Sequence, residues 1–155
     1  MHHSIPTISF TQQAFDEMLA ERATLEVEQK AVIVRLQTAR EMGDLSENGA
    51  YKYAKFELGN VRRRLGELNR LLKQAVVISP PKNPQQVVLG CTVTLESDSG
   101  INNYKITNQY EADPGKNKIS SISPIGRQLH GKKVGELIRV QTSKNEIVYT
   151  IIAIE

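Results

Sequence analysis

Two heptad patterns of equal length, placed on either side of a short segment, constrain the fold of this chain most strongly. Residues 11–42 contain no Pro or Gly, and their seam positions alternate in spacing between three and four; residues 51–75 repeat this spacing. Such spacing predicts two α-helices that pair along one apolar stripe. The seam positions are Phe15, Met18, Arg22, Leu25, Gln29, Val32, Leu36 and Ala39, followed by Tyr51, Ala54, Leu58, Val61, Leu65, Leu68, Leu72 and Ala75.

The two seams share one centre. If the chain folds back on itself, the numbers of facing seam residues sum to 90, as for Ala39 with Tyr51 and Val32 with Leu58. We therefore expect residues 11–75 to form one antiparallel helical hairpin whose turn is centred on Leu45. The alternative is a parallel coiled coil between two copies of the chain, which the central turn disfavours.

Local signals at the helix ends agree with a hairpin. Thr11 and Ser46 are residue types that cap helix N-termini, and Gly43 can end the first helix in the left-handed conformation. Asp44 and Glu47 are then expected at the exposed tip of the hairpin.

The pattern changes after residue 78. Residues 79–86 contain three prolines and cannot continue a helix, and beyond them apolar residues alternate with polar ones. We predict strands over 87–95, 104–106, 119–122, 136–141 and 147–154, with a short helix from Ser123 and Pro124 to Gly131. The fold class is thus α+β: residues 1–78 form the N-terminal hairpin, 79–86 a linker, and 87–155 a small, mostly antiparallel sheet domain with a short helix.

Composition excludes several kinds of protein. A single cysteine, Cys91, allows no internal disulfide, and no apolar run reaches the roughly 18 residues that a membrane span needs. His2, His3 and His130 lack zinc-ligand spacing. We expect a cytoplasmic protein without a tightly bound cofactor.

The basic excess lies on one segment. Residues 49–75 carry seven basic and two acidic side chains, although the whole chain has a net charge of only +3. A basic segment of this kind favours a polyanionic partner. The candidates for phosphate contacts are Lys52, Lys55, Arg62, Arg63 and Arg64; alternatively, these side chains form a solvated face that pairs with acids of the first helix.

Asp44 and Glu47 are the candidates for metal chemistry. Their spacing of three lets two carboxylates point to one side of a helix start, and carboxylate oxygens suit Mg²⁺. Two such ligands alone hold Mg²⁺ weakly, so a useful site needs further ligands from a partner. The alternative is that both acids merely favour the dipole of the second helix.

The chain also resembles a known family at two separated motifs. Residues 39–48, ending in Gly43-Asp44-Leu45-Ser46-Glu47-Asn48 and followed by Tyr51, closely resemble the tip motif of the bacterial Gre transcript-cleavage factors, GreA and GreB. Residues 122–127, Ile-Ser-Pro-Ile-Gly-Arg, are similar to that family's C-terminal signature. The chain departs from the tip motif at Gly49 and Ala50, where the family usually has Ala followed by an acid.

This resemblance implies a function. The hairpin would enter the secondary channel of bacterial RNA polymerase, and the C-terminal domain, of an FK506-binding-protein-like fold, would dock outside. Asp44 and Glu47 would help to hold a Mg²⁺ shared with the polymerase, which then cuts the 3′ end of backtracked RNA; Ser46 and Asn48 would support the tip. The chain is therefore expected to be a monomer that stimulates the polymerase and contacts nascent RNA, and not itself an enzyme.

Three other functions stay open. The same scaffold could inhibit the polymerase by occupying its channel without stimulating cleavage. The implied C-terminal fold also suggests a peptidyl-prolyl isomerase, although Tyr104, Tyr110 and Tyr149 are few aromatics for a proline pocket. A purely structural coiled-coil adaptor is the remaining alternative.

Overall fold

The computed structural model describes residues 6–43 and 47–155. The predicted centre of the turn, Leu45, and the predicted tip residues Asp44 and Ser46 lie outside these described residues. The elements, in chain order, are β1 (Ile8–Thr11), α1 (Gln12–Glu41), α2 (Gly49–Gln74), β2 (Ala75–Ile78), β3 (Thr92–Ser97), β4 (Gly100–Thr107), a 3₁₀ turn (Pro114–Lys116), β5 (Lys118–Ser120), α3 (Pro124–Leu129), β6 (Leu137–Gln141) and β7 (Glu146–Ile154).

The chain divides into two compact units. One comprises residues 1–7 and 15–75, and the other residues 8–14 and 76–155. The predicted α+β class, with two long helices before a small sheet, is confirmed. The units differ from the predicted segments, because residues 8–14 and 76–78 group with the sheet.

The two long helices run antiparallel. Glu57 of α2 accepts a hydrogen bond from Arg35 of α1, and Arg64, further along α2, pairs with Glu21, which lies earlier on α1. In an antiparallel pair, a position later on one helix lies opposite a position earlier on the other, as these two contacts do. At about 1.5 Å per residue, the 30 residues of α1 span roughly 45 Å.

The seam of α2 follows the predicted heptad over most of its length. Its buried side chains are Ala54, Leu58, Val61, Leu65, Leu68 and Leu71. Near the end of the helix the pattern shifts: Leu71 is buried, whereas the predicted seam residue Leu72 is only half-buried. Leu71 and Leu72 are about 100° apart around the helix, so the buried face at the end of α2 lies one residue earlier than the heptad predicts.

The helix ends are capped by side chains. Thr11 Oγ1 accepts a hydrogen bond from the Ala14 N–H at 3.2 Å, as predicted for the N-cap of α1. Gly43 has a φ of 117°, which a residue with a Cβ rarely adopts. The predicted cap of α2, Ser46, is replaced by Asn48, whose Oδ1 accepts from the Tyr51 N–H at 3.1 Å.

The second unit contains a five-stranded sheet in the order β5-β4-β3-β7-β6. Its neighbours pair antiparallel except β4 and β5, which are parallel. The predicted strand over 87–95 is shorter, since β3 begins at Thr92, although Val87 and Cys91 before it are fully buried. The apolar core consists of Val87, Val93, Leu95, Ile106, Leu129, Ile138 and Ile151.

Helix α3 packs closely against the chain that precedes it. Ser123 caps the helix, as predicted, by accepting from the Gly126 N–H at 3.1 Å. A Cβ at Gly126 would overlap the backbone carbonyl of Ser120. The glycine of the second motif is therefore required by packing.

A two-stranded sheet, β1 with β2, was not predicted. Within the second unit, a buried Glu111 secures β1 by accepting from both the Thr11 N–H and the Thr11 hydroxyl at 2.8 Å. Asn108 adds a bond to the Ser9 carbonyl at 2.6 Å. Polar partners a hundred residues apart thus fix the segment that leads into α1.

Candidate functional site

The end of the hairpin is closed by one side chain that serves both helices. Asn48 Nδ2 donates to the Ala39 carbonyl of α1 at 2.7 Å, while its Oδ1 caps α2. The last carbonyls of a helix lack their usual partners, and the Ala39 carbonyl accepts from Asn48 as well as from the Met42 N–H at 3.3 Å. Asn48 thereby fixes where α2 begins relative to the end of α1.

Glu47 is exposed and immediately precedes this cap. The predicted Ser46 cap would place Glu47 at the first position of α2, but the helix begins two residues later, at Gly49. Asp44, the other candidate ligand, lies outside the described residues. A carboxylate just before a helix N-terminus is still favoured by the helix dipole.

The donor set suits Mg²⁺ in its chemistry. Asp44 and Glu47 would supply carboxylate oxygens, the hard ligands this ion prefers, and the Glu47 side chain is open to solvent. In residues 6–43 and 47–155, no group of three or more His, Cys, Asp or Glu side chains is placed to hold a metal.

The candidates for phosphate contacts separate into two groups. Arg64 donates to Glu21 through Nε at 2.6 Å and Nη2 at 2.8 Å, and to Glu67 through Nη1 at 2.9 Å. These bonds raise the pKa of Arg64 further above its usual range and lower the pKa of the Glu21 carboxyl. Arg64 therefore matches the predicted alternative, a cation that pairs with acids of the first helix.

The other four cations are available. Within the described part of the chain, Lys52, Lys55, Arg62 and Arg63 make no ion pair and are exposed. Lys52, Lys55 and Arg63 line one groove on α2, whereas Arg62 does not.

The hairpin exposes two aromatic residues that the sequence analysis did not single out. Tyr53 and Phe56 are 66% and 68% exposed. Tyr53 directly precedes the seam position Ala54, and Phe56 lies between Ala54 and Leu58. An aromatic residue at a position off the seam was the sequence signal that could have identified both. Tyr53 lines an apolar groove of about 300 Å³ with Val34 and Met42.

The second unit has its own apolar cavity, of about 330 Å³. Among the described residues that line it, Tyr104 is the one aromatic side chain, beside Ile119 and Ile125. A proline pocket rich in aromatic rings is therefore not formed at this cavity. No helix in the described ranges is long and apolar enough to cross a membrane.

Two family models match consecutive parts of the chain. Residues 8–77 match the model described as transcription elongation factor, N-terminal, and residues 81–155 the model described as transcription elongation factor, GreA/GreB, C-term. Both models describe transcription elongation factors, and together they cover nearly every element of both units.

Individual relatives agree with these models. Transcription elongation factor GreA of Geobacillus kaustophilus is 40% identical over 132 residues, which cover 83% of this chain and 84% of the relative. GreA of Thermomicrobium roseum is 34% identical over 151 residues, covering 96% and 97%. The chain belongs to the GreA/GreB family of transcription elongation factors, and the resemblance at its two motifs is confirmed.

The crystal structure of GreA factor homolog 1 (Gfh1) of Thermus thermophilus covers 96% of this chain and 99% of its own, at 22% identity and a TM-score of 0.46. A likeness at that level supports no inference about function.

Proposed function

We propose that this chain inserts its hairpin into the secondary channel of bacterial RNA polymerase and stimulates the polymerase to cleave the 3′ end of backtracked RNA. Arrested complexes would then resume elongation. The chain itself supplies no complete active site in this account, so it is an activator of the polymerase and not an enzyme.

The observation that carries the proposal is the position of Glu47. Glu47 is exposed and immediately precedes the Asn48 cap, at the end of two helices that each extend for more than 25 residues. A pair of long helices can bring an acid to a site that is deep within a partner. Membership of a transcription elongation factor family supports RNA polymerase as that partner.

The two acids have a defined task in this reaction. Asp44 and Glu47 would be ligands to a Mg²⁺ whose remaining ligands come from the polymerase, because two carboxylates fill only part of an octahedral shell. When bound, the ion supplies the chemistry of two-metal phosphoryl transfer, in which the attacking water is activated and the leaving oxygen stabilised. Glu47 is positioned by the backbone that Asn48 fixes, and Ser46 would support the tip.

The test is to add the protein to a backtracked polymerase complex with Mg²⁺ and to measure the release of short 3′ RNA fragments. We expect fragments to appear faster than with polymerase alone, followed by renewed elongation. Slower elongation without fragments would contradict the proposal and favour the channel-binding inhibitor. Fragment release by the factor in the absence of polymerase would show that the chain is an enzyme.

A further inference from the structure

An apolar groove between the two helices lies close to the tip of the hairpin. It has a volume of about 300 Å³, which suits one long side chain better than a whole helix. Three of the side chains that line it, Val34 and Met42 of α1 and Tyr53 of α2, are each more than half exposed. Because Tyr53 follows the Asn48 cap by five residues, the groove begins within about two helical turns of Glu47.

The polar groups of this groove are unevenly satisfied. The Thr38 hydroxyl donates to the Val34 carbonyl at 3.1 Å, so it offers the groove no donor. Glu57 accepts from Arg35 at 2.9 Å through Oε1, whereas its Oε2 is buried and has no hydrogen-bond partner among the described residues. A buried acceptor without a donor costs free energy, and a ligand that supplies the donor recovers it.

The ion pair between Arg35 and Glu57 leaves room for a competing cation. The Arg35 side chain is 53% exposed, and that of Glu57 is 21% exposed. Exposed ion pairs contribute little to stability, so a second cation can displace Arg35 at small cost and reach the unpaired oxygen. A guanidinium carries several N–H donors in one plane, which makes it the cation best able to satisfy both oxygens of one carboxylate.

An arginine side chain also matches the apolar part of the groove. Its apolar stem can lie along Val34 and Met42, and its planar head can stack on the Tyr53 ring. A cation over an open aromatic face is attracted to it even at exposed sites. A phosphate or a purely apolar ligand would leave the Glu57 oxygen without a donor.

We propose that this groove receives an arginine side chain of the protein that surrounds the hairpin, with the guanidinium stacked on Tyr53 and hydrogen-bonded to Glu57. The proposal rests on the proposed function, in which that protein is the RNA polymerase whose channel the hairpin enters. In this account the groove contributes to affinity and Glu47 to the reaction, so substitutions at the two sites have separable effects.

The ion pair of the groove permits a test in which two variants have effects of opposite sign. Glu57→Gln should weaken the binding of the full chain to bacterial RNA polymerase without nucleic acid by about tenfold, because the carboxylate is lost. Arg35→Gln should strengthen the binding severalfold, because it removes the competing cation. If the pair merely joins the two helices, both variants lose affinity equally, and that result would overturn the proposal.

Two exposed rings on α2 provide a second comparison. Tyr53→Leu keeps an apolar side chain but removes the ring, and it should weaken binding by a similar factor. Phe56→Leu removes an equally exposed ring outside this groove and should bind as the parent does. Glu67→Gln breaks the ion pair with Arg64 at 2.9 Å and is the control for Glu57→Gln, with no expected loss of affinity. Equal losses for both leucine variants would contradict the assignment of the groove.

The remaining outcomes separate this proposal from the proposed function. Parent-like affinity in Glu57→Gln and Tyr53→Leu, with normal release of 3′ RNA fragments, would overturn the groove proposal alone. The expected affinities without any fragment release would contradict the proposed function and leave the groove as a binding site. A parent chain that does not bind polymerase would overturn both. Sedimentation of the parent as a dimer that Tyr53→Leu dissociates would make a second copy the occupant and overturn the arginine.

Discussion

Arg63 and Arg64 are neighbours in the sequence but have different roles in the structure. Arg64 joins the two helices through its paired hydrogen bonds to Glu21, whereas Arg63 remains at the solvent-facing groove. Sequence could identify the basic run but not this division, because it depends on which acid of α1 lies opposite each arginine.

Glu21→Gln should reduce stability in a pH-dependent way. The hydrogen bond from Arg64 lowers the pKa of the Glu21 carboxyl, so its stabilisation is present above the pKa of the unfolded chain and is lost as the pH falls through the folded one. Since both side chains are about two-fifths exposed, we expect a loss of at most about 1 kcal/mol at pH 7.

Urea unfolding at several pH values measures this effect. The difference between parent and variant should shrink once the pH drops below the ordinary glutamate pKa of about 4.3. Glu41→Gln, an exposed acid on the same helix, is the control and should change little. A difference that grows towards acid pH would contradict the assignment.

The ends of α1 and α2 depend on one another through Asn48. Asn48→Ala removes both the cap of α2 and the donor to the Ala39 carbonyl, and we expect it to cost about 1–2 kcal/mol. Urea unfolding measures the loss. Asn48→Asp keeps an acceptor for the Tyr51 N–H but removes the donor, so it should restore part of the stability. No recovery in Asn48→Asp would mean that capping contributes little.

Helices were predictable where the heptad spacing of apolar residues continued for several turns. The heptads identified both helices, and Ser123-Pro124 identified the start of α3. The cap of α2 was misassigned because Ser46 and Asn48 are both good capping residues, and only the bond to Ala39 decides between them. Strands β1 and β2 were missed because each has four residues and their partners lie more than 60 residues apart.

For the chain as a whole, charge and chemistry are concentrated on the second helix and the turn before it. Residues 49–75 carry the basic excess, and the candidate acids Asp44 and Glu47 directly precede them. Sequence could indicate these residues through the family motif. The heptad also places Phe56 off the seam beside basic residues, so its exposure in a groove of α2 was predictable from the spacing.

In the proposed function, Glu47 acts on the cleavage of backtracked RNA and not on the binding of the factor to polymerase. The decisive measurement is the rate of 3′ fragment release from a backtracked complex at saturating factor, with the affinity for polymerase measured alongside. Glu47→Ala should lower the rate by at least about a hundredfold with little change in affinity, and Glu41→Ala, an exposed acid at the end of α1, should retain the parent rate. An unchanged rate for Glu47→Ala, or a loss explained entirely by weaker binding, would contradict the account.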